Sequence, residues 1–346
     1  MNSVRIGIIG SGFMGKTNAE TVTRYLRRAK LIAIAGGSRA PALAAEYGVE
    51  SEPSVDALLQ RSDIDAVLIS TPQSAHAREA VAAARAGKHI LIDKPMATSV
   101  EDCDRILKAS RASHVKVMIM FGQRFRICNM EARRLVRDGE IGQIRMIQEQ
   151  ILASGGLGSL PPWQSLSDNY GIFLGHAVHN IDRIRWITGA EIASVSAHVQ
   201  RDPKSGNEVS TMALLSLTNG AIATLWASWN IAPPIFPHGA SGSLIAGETG
   251  NLELDAYGEL RIGKENRWTV VAKQEPIDWI GEGALSPIRM KAYQMQDQEF
   301  IDSILEDRIP SVTGEDGRAA VEVAVAAYWS ASEGRTIQLR EMGTTQ

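Results

Sequence analysis

Residues 4–16 read VRIGIIGSGFMGK, an apolar run that leads into Gly10, Gly12 and Gly15. The β-branched run predicts a buried strand, and the GxGxxG spacing at its end is typical of a loop that binds dinucleotide phosphates. Gly10 permits the tight turn, Gly12 lets a pyrophosphate approach the backbone, and Gly15 allows close packing of helix on strand. We therefore predict a dinucleotide site at this loop.

The start of the following helix would offer unpaired backbone N–H groups to the phosphates, and we assign Phe13 and Met14 to the cofactor. The choice between NAD and NADP is expected at the tip of the second strand, where an acid would accept from the ribose 2′-hydroxyl. The stretch LIAIAGGSRAP has no acid there and offers Ser38 and Arg39. A guanidinium bonds a 2′-phosphate with charge-assisted geometry, so we expect NADP to be preferred, with NAD as the alternative. The structural alternative for Arg39 is a solvated residue at a helix start.

The first 120 or so residues alternate short apolar runs with alanine-rich stretches. This alternation predicts βαβ units and a doubly wound parallel sheet. After Phe121, strand-like segments lie close together with turn signals such as Thr218-Asn219-Gly220, which favours antiparallel pairing. The predicted fold is α/β, with a Rossmann domain at 1–123 and an α+β substrate and oligomerisation domain at 124–346. The second domain would contain a large open, mostly antiparallel sheet and a closing helix able to pack back on the first domain.

The composition disfavours nucleic acid and anionic membranes as partners. The 346 residues include 36 basic and 39 acidic ones, for a net charge of −3, so no global field favours nucleic acid or an anionic membrane. Cys103 and Cys128 have neither metal spacing nor the density of a disulfide scaffold. No apolar run reaches the ~18 residues of a membrane span, and the amino terminus lacks the pattern of a signal peptide. We expect a cytoplasmic protein whose partners are small molecules or copies of itself.

Three later motifs place polar side chains at predicted strand ends or within one helix. They are Thr71-Pro72 with His76, Asp93-Lys94-Pro95 after HILI, and His176, His179 and Asp182 within GIFLGHAVHNIDRIRWITG. With the glycine loop and the closing stretch 299–339, their order and spacing resemble the Gfo/Idh/MocA oxidoreductase family over nearly the whole chain. The family usually reads Glu-Lys-Pro, so Asp93 is a conservative departure.

The resemblance implies a Rossmann domain and an α/β partner domain, with the substrate between them over the nicotinamide. It also implies that Lys94 reaches the reacting hydroxyl or carbonyl. Elementary chemistry agrees, because ligands of an open α/β sheet bind beyond the carboxyl ends of its strands and a nearby cation stabilises alkoxide character. Pro95 restricts the backbone of Lys94. Residues assigned to the cofactor by the resemblance are Thr71, Pro72, His76, Asp93, Lys94 and Gln123.

The histidine motif departs from the family pattern Asp-x-Gly-x-His-x-x-Asp. His179 matches its histidine and Asp182 its last acid, but the first acid falls on Gly175. We expect His179 to exchange the hydroxyl proton, because an imidazole with an intrinsic pKa of about 6.5 works in both directions near neutrality. His176 is a candidate substitute for the missing acid, with a structural histidine as the alternative. Asp182 is expected to orient a helix or a histidine.

Three further residues are candidates for contact with the substrate. Arg124 follows the last Rossmann strand, where the resemblance suggests contact with the substrate cleft, and Trp163 and Tyr170 lie in a glycine-rich loop that could cover the substrate. A zinc site at the histidines lacks an HExxH pattern or a cysteine cluster, so we predict no metal. A Ser/His/Asp hydrolase lacks a GxSxG elbow.

We therefore predict an NAD(P)-dependent dehydrogenase that interconverts a secondary alcohol and a ketone on a sugar, cyclitol or related polyol. A dihydrodiol or aromatic-pathway semialdehyde dehydrogenase of the same family is one alternative. A non-catalytic NADP-binding regulatory protein is the other, motivated by Gly175. The resemblance further implies a homodimer or homotetramer formed through the open sheet, whose apolar face would need burial.

Overall fold

The structure is a computed structural model that describes residues 2–155, 163, 171–236 and 239–344. The chain divides into two compact units, each made of two segments of sequence. The first is Met1–Gly122 with Ile277–Arg318, and the second is Gln123–Pro276 with Ala319–Gln346.

The first unit contains a parallel sheet of six strands. Its strands are β1 (Val4–Ile9), β2 (Ala29–Ala35), β3 (Glu50–Ser51), β4 (Ala66–Ile69), β5 (His89–Ile92) and β6 (Val117–Ile119). The helices between them are α1 (Phe13–Arg24), α2 (Ala40–Glu46), α3 (Val55–Gln60), α4 (His76–Arg85) and α5 (Val100–Ala112). The order β3-β2-β1-β4-β5-β6 confirms the predicted doubly wound sheet and reverses between β1 and β4, the switch point where such sheets bind ligands. Sequence periodicity does not predict β3 or α3, because two and six residues are too short to show a period.

The second unit contains a nine-stranded sheet. Elements up to residue 273 are α6 (Ile127–Arg137), β7 (Ile144–Leu152), α7 (Val178–Thr188), β8 (Ile192–Arg201), β9 (Glu208–Leu217), β10 (Ile222–Ser228), β11 (Gly242–Gly247), β12 (Asn251–Asp255), β13 (Glu259–Lys264) and β14 (Arg267–Lys273). The chain then forms α8 (Pro287–Leu305), α9 (Gly314–Glu333) and β15 (Ile337–Gln338). Strand order is β14-β13-β12-β11-β7-β10-β9-β8-β15.

The pairing of this sheet confirms the predicted mostly antiparallel arrangement, with one difference. β10 pairs with β9 in antiparallel register, but it pairs with β7 in parallel, with Ile222 opposite Met146. Turn signals predict only hairpins between strands that follow one another. The β7–β10 pair joins strands separated by α7, β8 and β9, so only the folded sheet defines its direction.

The division of the chain differs from the predicted boundary at 123/124. Residues 277–318 belong to the first unit. The sequence analysis places them in the domain at 124–346, with a closing helix able to pack back on the first domain. The physical reason is the packing of α8 against α1, β1 and β5, in which Phe300 and Ile301 are buried. The second boundary follows Arg318 and falls inside α9.

One face of the nine-stranded sheet is covered and the other carries exposed apolar side chains. α6 packs against β12, β13 and β14, and α7 packs against β7. The alternation of a strand puts neighbouring side chains on opposite faces, so Ile147 is buried while Met146 is 56% exposed. The exposed apolar side chains of the sheet include Met146, Met212, Leu214, Ile222, Leu244 and Trp268.

Three further findings apply to the part of the chain that the structure describes. None of its helices is long and apolar enough to cross a membrane. No group of three or more His, Cys, Asp and Glu side chains there could hold a metal ion. Cys103 and Cys128 are both buried free thiols.

Candidate functional site

The geometry of the glycine loop agrees with the three roles predicted from its spacing. Gly10 has φ +111°, and a Cβ there would lie 2.7 Å from the Ser70 carbonyl group. A Cβ on Gly15 would lie 2.2 Å from the Gly10 oxygen. At Gly12 the nearest group to a Cβ would be the Arg39 guanidinium, at 3.5 Å. Two glycines are therefore required by close packing, and the third faces open space that a phosphate can approach.

The start of α1 has the donors and the charge that a pyrophosphate requires. Gly12 is the N-cap residue, no side chain caps the helix, and its first turn has no acid. Amide groups at an uncapped helix N-terminus attract anions through hydrogen bonding and through the helix dipole. The residues present therefore fit a dinucleotide, with Phe13 and Met14 at the phosphate end.

The tip of β2 presents Ser38 and Arg39 as exposed side chains. Ser11 of the glycine loop donates to the Gly36 carbonyl oxygen at 2.9 Å, which ties the loop to the end of β2. A Cβ built on Gly12 would lie 3.5 Å from Arg39 Nη2, so the guanidinium lies beside the glycine loop. The tip therefore supplies a cation and a hydroxyl at the predicted cofactor-selecting position.

Lys94 follows β5 directly, at the carboxyl edge of the sheet. Its backbone N–H donates to Asp93 Oδ1 at 2.8 Å, and its side chain is half-buried. Burial lowers the pKa of the Lys94 ammonium, and the nearby Asp93 carboxylate only partly opposes this effect. A lysine with a lowered pKa at the end of a strand is a candidate for proton or oxyanion chemistry.

His76 links the loop that carries Lys94 to the end of β4. Its Nδ1 lies 2.9 Å from the Pro95 carbonyl oxygen, and its Nε2 lies 2.9 Å from that of Thr71. The ring is 1% exposed. The Thr71 hydroxyl donates to the carboxylate of Glu79, whose pKa is raised by burial. His76 and Thr71, which we assigned to the cofactor, therefore also connect the loop after β4 to the loop after β5.

The histidine segment differs from the regular helix assumed in the sequence analysis. Residues Phe173–Ala177 form a π-helical turn, and α7 begins only at Val178. His176 lies on the π turn and His179 on α7, and the common face of the two histidines stays a prediction. His176 packs edge-on against Trp229, with ring centroids 4.4 Å apart and an interplanar angle of 79°.

Side chains distant in sequence hold the π turn. The Phe173 N–H donates to Glu208 Oε1 at 3.2 Å, and the Leu174 N–H donates to the Tyr328 hydroxyl at 3.1 Å. Tyr328 in turn donates to Glu208 at 2.6 Å. Burial raises the pKa of the Glu208 carboxyl group. No local pattern signals Trp229, Glu208 or Tyr328, and π turns are frequent at functional sites.

Asp182 forms a buried ion pair with Arg124. The Arg124 Nε donates to Asp182 Oδ2 at 2.8 Å and Nη2 to Oδ1 at 2.5 Å. The two side chains are 7% and 1% exposed. The guanidinium also lies 5.8 Å from the centroid of the Trp186 ring. The pair joins α7 to the segment before α6, in keeping with the expectation that Asp182 orients a helix. The contact of Arg124 with the substrate cleft stays a prediction.

The remaining predicted residues have separate surroundings. The Gln123 amide donates to the Tyr257 hydroxyl at 3.1 Å, and its Oε1 accepts from Asn129 at 3.0 Å. Trp163 is 40% exposed. Tyr170 lies outside the described residues.

Both parts of the chain match sequence models of one family. Residues 4–121 match "Oxidoreductase family, NAD-binding Rossmann fold", and residues 129–253 match "GFO/IDH/MocA C-terminal domain". The chain belongs to the Gfo/Idh/MocA family. The predicted resemblance and fold class are thereby confirmed, and this member of the family is an NAD-binding oxidoreductase.

Similar Gfo/Idh/MocA proteins cover almost the entire chain. Inositol 2-dehydrogenase of Rhizobium meliloti is 29% identical over 97% of this chain and 99% of its own. The scyllo-inositol 2-dehydrogenase (NAD(+)) of Bacillus subtilis is 28% identical over 98% and 97%. The crystal structure of scyllo-inositol dehydrogenase from Lactobacillus casei with bound NAD(H) and scyllo-inositol has a TM-score of 0.80 and 28% identity, covering 98% of this chain and 99% of that one.

Proposed function

We propose that this chain is an NADP-preferring dehydrogenase that interconverts a secondary alcohol and a ketone on a cyclitol, sugar or related polyol. The observation that carries the proposal is Lys94, a half-buried lysine with a lowered pKa at the carboxyl tip of β5. The substrate class rests on the inositol dehydrogenases to which the chain is similar along its full length.

The proposed chemistry assigns one role to each side chain. When bound, the nicotinamide cofactor accepts or supplies the hydride. Lys94 orients the reacting oxygen and stabilises the negative charge that develops on it, because a fixed cation favours alkoxide character. His179 takes the hydroxyl proton during oxidation and returns it during reduction. His176 packs against the Trp229 ring. We assign to His176 the role of the family's first acid, whose position Gly175 occupies in this chain.

The cofactor preference gives the first prediction, for Arg39→Ala. Because Arg39 lies beside Gly12 at an acid-free strand tip, we expect the affinity for NADPH to fall by about 10- to 100-fold, the value of a charge-assisted hydrogen bond. The affinity for NADH should change less than threefold, measured by fluorescence titration of the purified chain. Arg85→Ala, an exposed arginine at the end of α4, is the matched control. Equal losses for both cofactors, or tighter binding of NADH by the native chain, would exclude the preference.

The exposed apolar face of the second sheet is proposed to bind another copy of the chain. Leu244 and Trp268, at 48% and 54% exposure, lie among the exposed side chains of this face. Apolar patches of this kind usually mark interaction surfaces. We predict that Leu244→Asp dissociates a dimer or tetramer seen by sedimentation velocity, since an ionised carboxylate resists burial. Ile309→Asp, at an apolar position 79% exposed in the first unit, should not. A native chain that sediments as a monomer would refute the proposal.

The direct test of the function is a panel of inositols, aldoses and dihydrodiols with NADP and with NAD, followed by the absorbance of the reduced nicotinamide. We expect turnover on the inositols or aldoses that His179→Ala abolishes while cofactor affinity is retained. Turnover restricted to dihydrodiols or semialdehydes would support the alternative dehydrogenase.

Transfer of label from stereospecifically deuterated NADPH tests catalysis independently of the panel. Any exchange into a polyol or ketone supports an enzyme. Tight NADPH binding without turnover or exchange would contradict the proposed function and support the regulatory alternative, with Gly175 as its cause.

A further inference from the structure

Arg289 is a buried cation beside the glycine loop that the proposed reaction does not use. It lies in the first turn of α8, far from the glycine loop in sequence, and is 2% exposed. Its Nη1 donates to Thr17 Oγ1 at 3.2 Å, and its Nη2 lies 3.8 Å from Met14 Sδ. The guanidinium carbon is 4.7 Å from the Phe13 ring centroid. Arg289 therefore contacts the first two turns of α1, directly after the glycine loop.

The groups with which Arg289 forms hydrogen bonds or ring contacts are neutral. Besides Thr17, its oxygen acceptors are the Ala284 carbonyl and the Tyr293 hydroxyl, at 3.3 Å for the latter. The Tyr293 ring centroid lies 4.5 Å from the guanidinium carbon and that of Trp279 lies 5.9 Å away. Within the described ranges, no carboxylate forms an ion pair with this guanidinium.

A buried charge without a counter-ion is costly for a folded protein. Desolvation of an ion costs several kcal/mol unless an opposite charge and hydrogen bonds compensate for it. A guanidinium has five N–H donors, and three oxygen acceptors leave two of them without an oxygen partner. The Phe13 and Tyr293 ring centroids lie 4.7 and 4.5 Å from the guanidinium carbon, so the two rings restrict the movement of the planar group. The site is thus arranged for an anion that the chain does not itself provide.

We propose that Arg289 binds the pyrophosphate of the dinucleotide. Its contacts are with Phe13, Met14 and Thr17 at the start of α1, the end whose amides attract phosphate. Arg39, at the tip of β2, is the separate group proposed for the 2′-phosphate. The pyrophosphate is common to NAD and NADP, so Arg289 contributes equally to both cofactors. The inference rests on membership of an NAD-binding family and does not depend on the substrate.

The experiment measures binding to Arg289→Met and Arg289→Lys without any substrate. We expect Arg289→Met to lose about 10- to 100-fold in affinity for NADH, for NADPH and for ADP, the value of bonds to a charged group. Adenosine, which has no phosphate, should bind both chains within twofold. Arg289→Lys keeps the charge without the planar fork and should lose less than the methionine variant.

Thermal unfolding separates binding from a structural role. If Arg289 is a binding site for an anion, the cofactor-free Arg289→Met chain should unfold at the same temperature as the native chain or at a higher one. The increase in unfolding temperature caused by saturating ADP should be smaller in this variant than in the native chain. Unchanged ADP affinity in Arg289→Met would overturn the proposal. The proposal would also be overturned if both cofactor-free variants unfold at a lower temperature than the native chain while their folded fraction keeps the native affinity for ADP. Failure of the substrate panel would leave these binding results unaffected.

Discussion

Replacing Lys94 by alanine is expected to lower kcat by roughly 10²- to 10³-fold, the usual effect of removing one group that stabilises a developing oxyanion. Lys94 lies at the carboxyl tip of β5, beside the switch point between β1 and β4. The glycine loop and the Ser38–Arg39 tip follow β1 and β2, so their geometry should survive the substitution. The measurement is the initial rate at saturating cofactor, with circular dichroism to verify the fold.

The pH dependence of the native enzyme gives a second readout for Lys94. Burial lowers the pKa of its ammonium below 10.5, so the proton is lost at a lower pH than from an ordinary lysine. If the charged form polarises the oxygen, kcat falls as pH rises through that lowered pKa. The Lys94→Ala enzyme should lack this alkaline limb.

The control for this prediction is Lys108→Ala, an exposed lysine on α5 of the same unit. It should retain the native rate and the native pH profile. A Lys94→Ala enzyme with more than a third of the native kcat would remove Lys94 from the chemistry, whatever its stability.

Asp182→Ala is expected to destabilise the folded chain by about 3–5 kcal/mol, the cost of leaving one member of a buried ion pair without its partner. Arg124 is 8% exposed, so its guanidinium would remain in a site that water reaches poorly. The free energy of unfolding is measured by urea denaturation monitored by tryptophan fluorescence. A loss of activity in this variant would follow from the loss of folded protein.

A compensating variant distinguishes the ion pair from a general packing defect. Arg124→Met combined with Asp182→Leu removes both charges, and we expect it to recover most of the lost stability. Asp138→Ala breaks an exposed pair with Arg134 and should leave the urea midpoint unchanged. A native-like midpoint for Asp182→Ala alone would show that the pair does not stabilise the fold. His179→Ala, on the same helix, should lose activity with little change in stability.

The parts of the site that depend on short segments follow from the sequence alone. The glycine loop is an example, because the strand, the tight turn and the helix start are set within residues 4–16. The position of Lys94 at a strand tip also follows, since a short apolar run ended by Lys-Pro defines the end of a buried strand. The doubly wound class of the first sheet follows from its alternation of strands and helices.

Tertiary structure alone decided the remaining features, because they join groups that are distant along the chain. Arg124 and Asp182 are 58 residues apart, so no local period indicates their pairing. The π turn that contains His176 is held by the Tyr328 hydroxyl, which accepts from the N–H of Leu174, 154 residues earlier in the chain. Arg289 lies 272 residues from Thr17 and comes to the glycine loop only because α8 packs on α1. Turns and strand ends reflect short-range sterics that each residue carries, whereas ion pairs and buried cations depend on the packing of whole elements.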